Sequence, residues 1–198
     1  MAEEPTHPRS VRAKDSVLCA TRELLDEGGL PAASVDAISA RSGVSKATIY
    51  KHWPCRAAVA AEAFGRRMAD AIPLPDTGSA RGDLAEQVRR VSAFYGGDSG
   101  KVFAQLLAAC VTDPAGAPYF RQFFLATRWE GIAELWQRAQ DRGEVDAGVG
   151  AGTAMDVLFG PLIFRLLTGH APLTEAEADT LSSAALDGLL SSVRGESS

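Results

Sequence analysis

Between Ser45 and Arg56 the chain gathers three cations, Lys46, Lys51 and Arg56. Among them stand two hydroxyls, a phenol and an imidazole, from Ser45, Thr48, Tyr50 and His52. Arg41 adds a fourth cation, and residues 41–56 contain no Asp or Glu. Cations on a short segment attract phosphates, and small or hydroxylated residues such as Ala47 and Thr48 let a helix approach base edges in a major groove. The whole chain carries a net charge of −5, which by itself argues against nucleic acid. The distribution reverses that reading: residues 1–60 hold eight Lys or Arg against seven Asp or Glu, and the acidic excess lies beyond them. A local basic stripe on an acidic protein holds phosphates while the remaining surface resists indiscriminate adhesion.

Positioning such a stripe requires a rigid turn between two helices. Ser34 is suited to cap one helix and Ser45 the next, while Gly43 supplies the positive φ of the turn between them. Ala37, Ile38, Val44 and Ile49 then pack the pair against a first helix, expected from about Val11 to Glu27 with its apolar face at Val17, Ala20, Thr21 and Leu24. Gly28 and Gly29 stop that helix, and Pro54 stops the second of the pair at His52. The segment reads as a helix-turn-helix, with Ser34, Ser45, Lys46, Ala47, Thr48, Tyr50, Lys51, His52 and Arg56 as candidate DNA contacts. Tyr50 and His52 are also compatible with core filling, and Lys46 with a solvated charge. Arg9 and Arg12 are either solvated or available for a minor groove.

Beyond Arg56 every readable segment is helical. A fourth helix runs from about Arg56 to Ala71 and ends at the Pro73–Gly78 break. Further helices are expected at about Gly82–Tyr95, Lys101–Thr112, Pro118–Arg142, Ala151–Thr168 and Glu175–Val193, with a frayed tail after Arg194. The expected fold class is all-α, divided into a helix-turn-helix domain over 1–72 and a helical bundle over 73–198.

At Ser34–Trp53, with Gly28-Gly29-Leu30 before and Tyr50-Lys-His-Trp-Pro-Cys-Arg56 after, the chain resembles the TetR family of bacterial transcriptional repressors. The motif covers about residues 12–62. Leu158-Phe-Gly-Pro-Leu-Ile-Phe-Arg-Leu-Leu-Thr-Gly-His-Ala-Pro172 is similar to one recurrent type of the family's C-terminal domain. The resemblance implies a ligand-responsive regulator, most simply a repressor released from double-stranded operator DNA by a small-molecule effector. It also implies a homodimer joined by the last two helices. Cys55 departs from the pattern, standing where the family places Ser, Asn or Asp as N-cap. It is read either as a tolerated small residue or as a thiol activated by the helix end, Lys51 and Arg56.

The aromatic residues of the C-terminal region recur on helical faces, and each suits a core. Together they can line an apolar cavity, for which Phe94, Phe103, Leu107, Phe124, Arg128, Trp129 and Phe164 are the candidates, with Gln105, Thr127 or Arg165 as further polar anchors. Arg165 equally suits an ion pair in a dimer. The apolar stripes expected at the dimer interface are Val157-Phe159-Ile163-Leu166 and Leu181-Ala185-Leu189-Val193, with Gly160 and Gly188 allowing close approach.

Other chemistries find no support. The histidines, His7, His52 and His170, have no partner at metal spacing, and there is no glycine-rich phosphate loop or nucleophile elbow. An enzyme, a bound metal and a cofactor are therefore not expected. Cys19, Cys55 and Cys110 show no paired spacing, no uncharged run reaches the ~18–20 residues of a membrane span, and MAEEPTHPRS lacks a signal-peptide core. A cytoplasmic protein without membrane partners is expected. The competing class, a carrier or interaction module that retains the motif without using it, would be separated by a gel-shift against DNA beside its own gene.

Overall fold

The computed structural model describes residues 8–112, 116–145 and 148–189. His7, the Asp113-Pro114-Ala115 break, Val193 and the tail from Arg194 lie outside them, as do the side chains of Arg9, Thr127 and Leu189. The elements are α1 (Pro8–Ala32), α2 (Val35–Ser42), α3 (Lys46–His52), α4 (Arg56–Ala71), α5 (Ala80–Gly96), α6 (Asp98–Thr112) and α7 (Ala117–Phe120). A π-helical turn (Arg121–Leu125) follows, then α8 (Ala126–Asp141), α9 (Ala151–Thr168) and α10 (Glu175–Leu189). By contacts the chain forms two compact units, one holding the described residues to Met68 with Lys101–Leu125, the other Ala69–Gly100 with those from Ala126. The units thus do not follow a single cut after Ile72. Residues 101–125 belong with the N-terminal helices because Phe103, Phe120 and Phe124 pack there.

In the first unit, α1 buries Val17, Leu18, Ala20, Thr21, Leu24 and Leu25. Thr21 stays in that apolar face by donating its hydroxyl to Val17 O at 2.7 Å. The helix breaks at Gly28 and Gly29, the latter at φ 67°. A side chain at Gly29 would also collide with the Gln105 carboxamide, whose Oε1 accepts from Leu30 N–H at 2.8 Å. Gln105, a candidate ligand anchor from sequence, is therefore engaged in holding this break. Phe64 on α4 joins Phe103, Phe120 and Phe124, with Phe103 and Phe120 at 5.1 and 5.0 Å from Phe124 between ring centroids. The expected single helix from Pro118 to Arg142 is interrupted here by the π turn, a local widening in which Phe124 stacks on Phe120. Gly65 permits close approach of that turn: a Cβ there would stand 2.9 Å from Phe123 O. Gly65→Ala is accordingly expected to lower stability by about 1–3 kcal/mol, read as a shift of the denaturant midpoint.

In the second unit α5 packs against α8, α9 and α10. Ser79 caps α5 by accepting from Gly82 N–H at 3.1 Å. Asp83 is buried, accepts from Thr77 N–H and Oγ1–H at 2.5 and 2.8 Å, and pairs with Arg142 at 3.2 Å and Arg138 at 3.7 Å. Arg81 pairs with Asp187 and Arg89 with Asp179, which lays α10 antiparallel along α5. Arg165 is engaged within its own chain, donating to Glu177 at 2.5 Å and to Pro172 O at 3.2 Å.

Helix α9 is, among the described residues, the one element long and apolar enough by length and composition to cross a membrane, although it contains Asp156 and Arg165. It buries Ala154, Leu158, Phe159 and Leu162 and exposes Val157, Phe164 and Leu167. The stripe read from sequence mixed these faces, since Val157 and Phe159 lie two residues and thus about 200° apart on a helix. The exposed apolar positions are instead Val157, Phe164 and Leu167, with the half-buried Gly160 on the same face. On α10 the exposed positions include Ser183, Ala184 and Gly188, whereas Leu181 and Ala185 are half-buried.

Candidate nucleic-acid interface

The helix-turn-helix is built from side chain to backbone bonds at each of its corners. Ser34 Oγ accepts from Ala37 N–H at 3.1 Å to begin α2, and Gly43 ends it at φ 70° with its N–H on Ser39 O. Ser39 donates its hydroxyl to Val44 O at 2.7 Å, and Val44 N–H reaches Ser42 Oγ at 3.2 Å. Ser45 then begins α3, accepting from Thr48 N–H at 3.2 Å, with its hydroxyl 2.9 Å from that of Thr48. Ile38 and Ile49 are fully buried between the helices. With both backbone and hydrophobic anchors fixed, the outer face of α3 holds a defined position.

That face presents Ser45, Lys46, Ala47, Tyr50 and Lys51, with Thr48 and His52 beside them and Arg56 at the start of α4; Tyr50 is 51% exposed. Ser34, half-buried at the start of α2, is committed to its cap. The four cations read together in sequence separate into two kinds. Arg41 makes a two-point contact with Glu27, at 2.5 and 3.0 Å, and lies 3.9 Å from Glu23, while Lys46 pairs with Asp36. The hydrogen bond to Arg41 holds the Glu27 carboxyl below its ordinary range. Lys51 and Arg56 have no ion pair with any described residue. The first two cations of the acid-free stretch from 41 to 56 are therefore matched by acids from α1 and α2, a pairing invisible in linear sequence.

Behind α3, Trp53 is 1% exposed and donates its indole N–H to Glu62 at 2.7 Å. Glu62 also accepts from Arg66 at 2.9 Å, and Arg66 lies 3.4 Å from Asp15 on α1. Trp53 thus pins the end of α3 to α4. The ring of His52 meets that of Trp53 edge-on at 5.7 Å. Burial, then the nearby charges of Lys14 and Lys51, lower the His52 pKa below the ordinary imidazole value, against an opposing pull from Glu62. Lys14, which was not singled out in sequence, thereby joins the cations at this end of α3. At Cys55 the backbone carbonyl accepts from Ala58 N–H at 3.1 Å, and the half-buried thiol, like Cys19 and Cys110, is outside any disulfide.

Two family models match the chain: bacterial regulatory proteins, tetR family, over residues 17–63, and the tetracyclin repressor-like C-terminal domain over 74–185. The chain belongs to the TetR family. The HTH-type transcriptional regulator YdeS of Bacillus subtilis is 33% identical over 160 residues, spanning 81% of each chain. The HTH-type regulator Mb1581 of Mycobacterium bovis is 30% identical over 91% of this chain and 90% of its own. Among solved structures, the TetR family transcription regulator SCO0332 superposes with a TM-score of 0.82 at 31% identity, covering 89% of this chain and 98% of that one. This TetR-family member is a transcriptional regulator with an N-terminal helix-turn-helix for DNA and a C-terminal ligand-binding domain.

The candidate ligand-pocket residues are placed in different settings. Phe103 and Phe124 are core residues of the first unit, in the aromatic cluster with Phe64, and Leu107 is half-buried. In the second unit Phe94 is half-buried beside Tyr95, and Arg128 is half-buried. Trp129 and Phe164 are 45% and 61% exposed. Trp129 covers Gly152, where a Cβ would stand 2.6 Å from the indole, and Phe164 lies 5.0 Å from the ring of His170.

Proposed function

We propose that this regulator is a cytoplasmic homodimeric repressor whose two α3 helices enter successive major grooves of a palindromic operator, and whose DNA complex is dissolved by a small-molecule effector. The observation that carries the DNA part is the pair of cations without an ion pair to any described residue, Lys51 in the last turn of a seven-residue helix fixed by Ser45 and Trp53, and Arg56 just beyond it. Ala47 and Tyr50 on the outer face and Thr48 beside it precede them along α3, suited to base edges and sugar. The half-sites are expected about 10 base pairs apart.

Salt dependence tests this assignment. If Lys51 and Arg56 each neutralise one phosphate, Lys51→Gln and Arg56→Gln each reduce the log–log salt slope by roughly one unit. Arg41→Gln, which removes the strap to Glu27, is expected to leave the slope unchanged. Equal slopes for all three variants and the parent would remove Lys51 and Arg56 from the phosphate contacts.

His52 adds a pH dependence. Its lowered pKa leaves it neutral at pH 7, whereas phosphates close to the ring would favour the protonated form. Binding then takes up a proton, so operator affinity is expected to rise as pH falls from about 8 to about 6. His52→Gln should flatten that rise; identical profiles would place His52 away from phosphate.

A further inference from the structure

The seam between α5 and α8 is balanced at one end and unbalanced at the other. At the first end Asp83 of α5 meets Arg138 and Arg142 of α8 and the turn that follows it, so the start of α5 lies against the end of α8. At the opposite end the electrostatic neighbour of Tyr95 is Arg128, in the first turn of α8. The two helices are therefore antiparallel, with Gln87 one turn beyond Asp83 and the Tyr95–Arg128 pair two turns further on.

Gln87 is fully buried, and neither its Nε2 nor its Oε1 has a hydrogen-bond partner. A buried polar group left unbonded costs about 1–3 kcal/mol, and native proteins retain few of them. Arg128 is half-buried and makes no ion pair with a described residue, although Arg89, Arg138, Arg142 and Arg165 of the same unit each have a carboxylate. Burial pulls the Arg128 pKa below its ordinary value, Tyr95 opposing, while burial pushes the Tyr95 phenol up. Between the two polar ends, Val91 and Ile132 are buried apolar neighbours on the same two helices.

Water can satisfy a lone amide, but a half-buried cation with no carboxylate among the described residues is a better fit to an anion. We propose that this seam takes an organic carboxylate with an apolar body, its head on Arg128 and a further polar group on the Gln87 carboxamide. Eight residues separate Gln87 from Tyr95, about 12 Å along the helix, which bounds the distance between the two polar ends of the ligand. The proposal rests on the effector reading above and gives that effector its chemical class.

The test is calorimetric titration of the full chain with 2-naphthoate, 4-phenylbutyrate and decanoate, each against its methyl ester. The carboxylates are expected to bind at least about 10-fold tighter than the esters, and Arg128→Met to abolish that preference. Arg128→Lys, which keeps the charge and loses the two-point geometry, should retain part of it; circular dichroism establishes that both variants fold. Gln87→Leu should raise the melting temperature of the unliganded protein while weakening carboxylate binding. Carboxylates that bind no better than esters, or equally well to Arg128→Met, would overturn the assignment. If esters release operator DNA and carboxylates do not, the anion site falls while the effector reading stands. If carboxylates bind through Arg128 without altering operator affinity, the site stands and effector release falls.

Discussion

Phe164→Asp is expected to convert the protein to monomers and to reduce operator affinity by about 10²- to 10⁴-fold, the loss that follows when two linked half-site contacts become separate events. Phe164 is 61% exposed, Leu167 51% and Val157 40%, and Gly160 lies between them on the same face of α9. An apolar seam of this size exposed on a helix calls for a covering surface. In the proposed homodimer a second copy would supply one, since α9 and α10 pack together and α10 exposes small residues, Ser183, Ala184 and Gly188, that allow close helix approach. Covering a phenylalanine stabilises by about 1.5–3 kcal/mol per copy, and a carboxylate there adds desolvation and like-charge repulsion across the twofold. The measurement is mass by light scattering, beside operator titration. Val111, 73% exposed in the first unit, provides the control: Val111→Asp should leave the mass unchanged. A dimer that survives Phe164→Asp with operator affinity within about twofold would move the interface away from α9.

Local signals carried far in this chain. The caps at Ser34 and Ser45, the αL glycine at Gly43 and the bounds of α3, α4 and α9 follow from short-range chemistry, and the structure agrees with them. What escaped sequence reading depends on which elements meet. Arg41 and Lys46 looked available for phosphate because their partners, Glu27 and Asp36, lie 14 and 10 residues away on neighbouring helices. Gln105 looked like a ligand anchor because the backbone N–H that it binds, at Leu30, is 75 residues distant. Phe103 and Phe124 were indistinguishable from pocket aromatics, since periodicity marks a buried face without saying what covers it. The stripe read on α9 mixed buried and exposed positions for a different reason. In an almost uniformly apolar helix, hydrophobicity no longer identifies a face, and only the packing of Leu158, Phe159 and Leu162 reveals which side is left.

Asp83→Ala is expected to cost about 2–4 kcal/mol, because it leaves Arg138 and Arg142 with the exposed Asp76 alone as counter-ion and Thr77 without its acceptor. For a chain of this length that corresponds to a fall in melting temperature of roughly 10 °C. Burial by itself would raise the Asp83 pKa, but the two bonds from Thr77 and the charges of Arg142 and Arg138 outweigh it, and the net shift is downward. The linkage then has a definite sign. A carboxyl whose folded pKa lies below its unfolded value contributes stability that is fully present above the unfolded value of about 4, and loses it as pH falls through the folded one. The parent should therefore lose stability steeply from about pH 5 downward, whereas Asp83→Asn, which cannot titrate, should begin lower and show a shallower acid slope. The asparagine side chain retains an acceptor for Thr77 but offers no charge to the arginines, so the difference between the Ala and Asn variants separates hydrogen bonding from ion pairing. Thermal melts from about pH 3 to about pH 7 decide the matter. Parallel curves for parent and Asp83→Asn would show that Asp83 contributes packing and hydrogen bonds alone, and the charge complementarity assigned to this end of the seam would then be wrong.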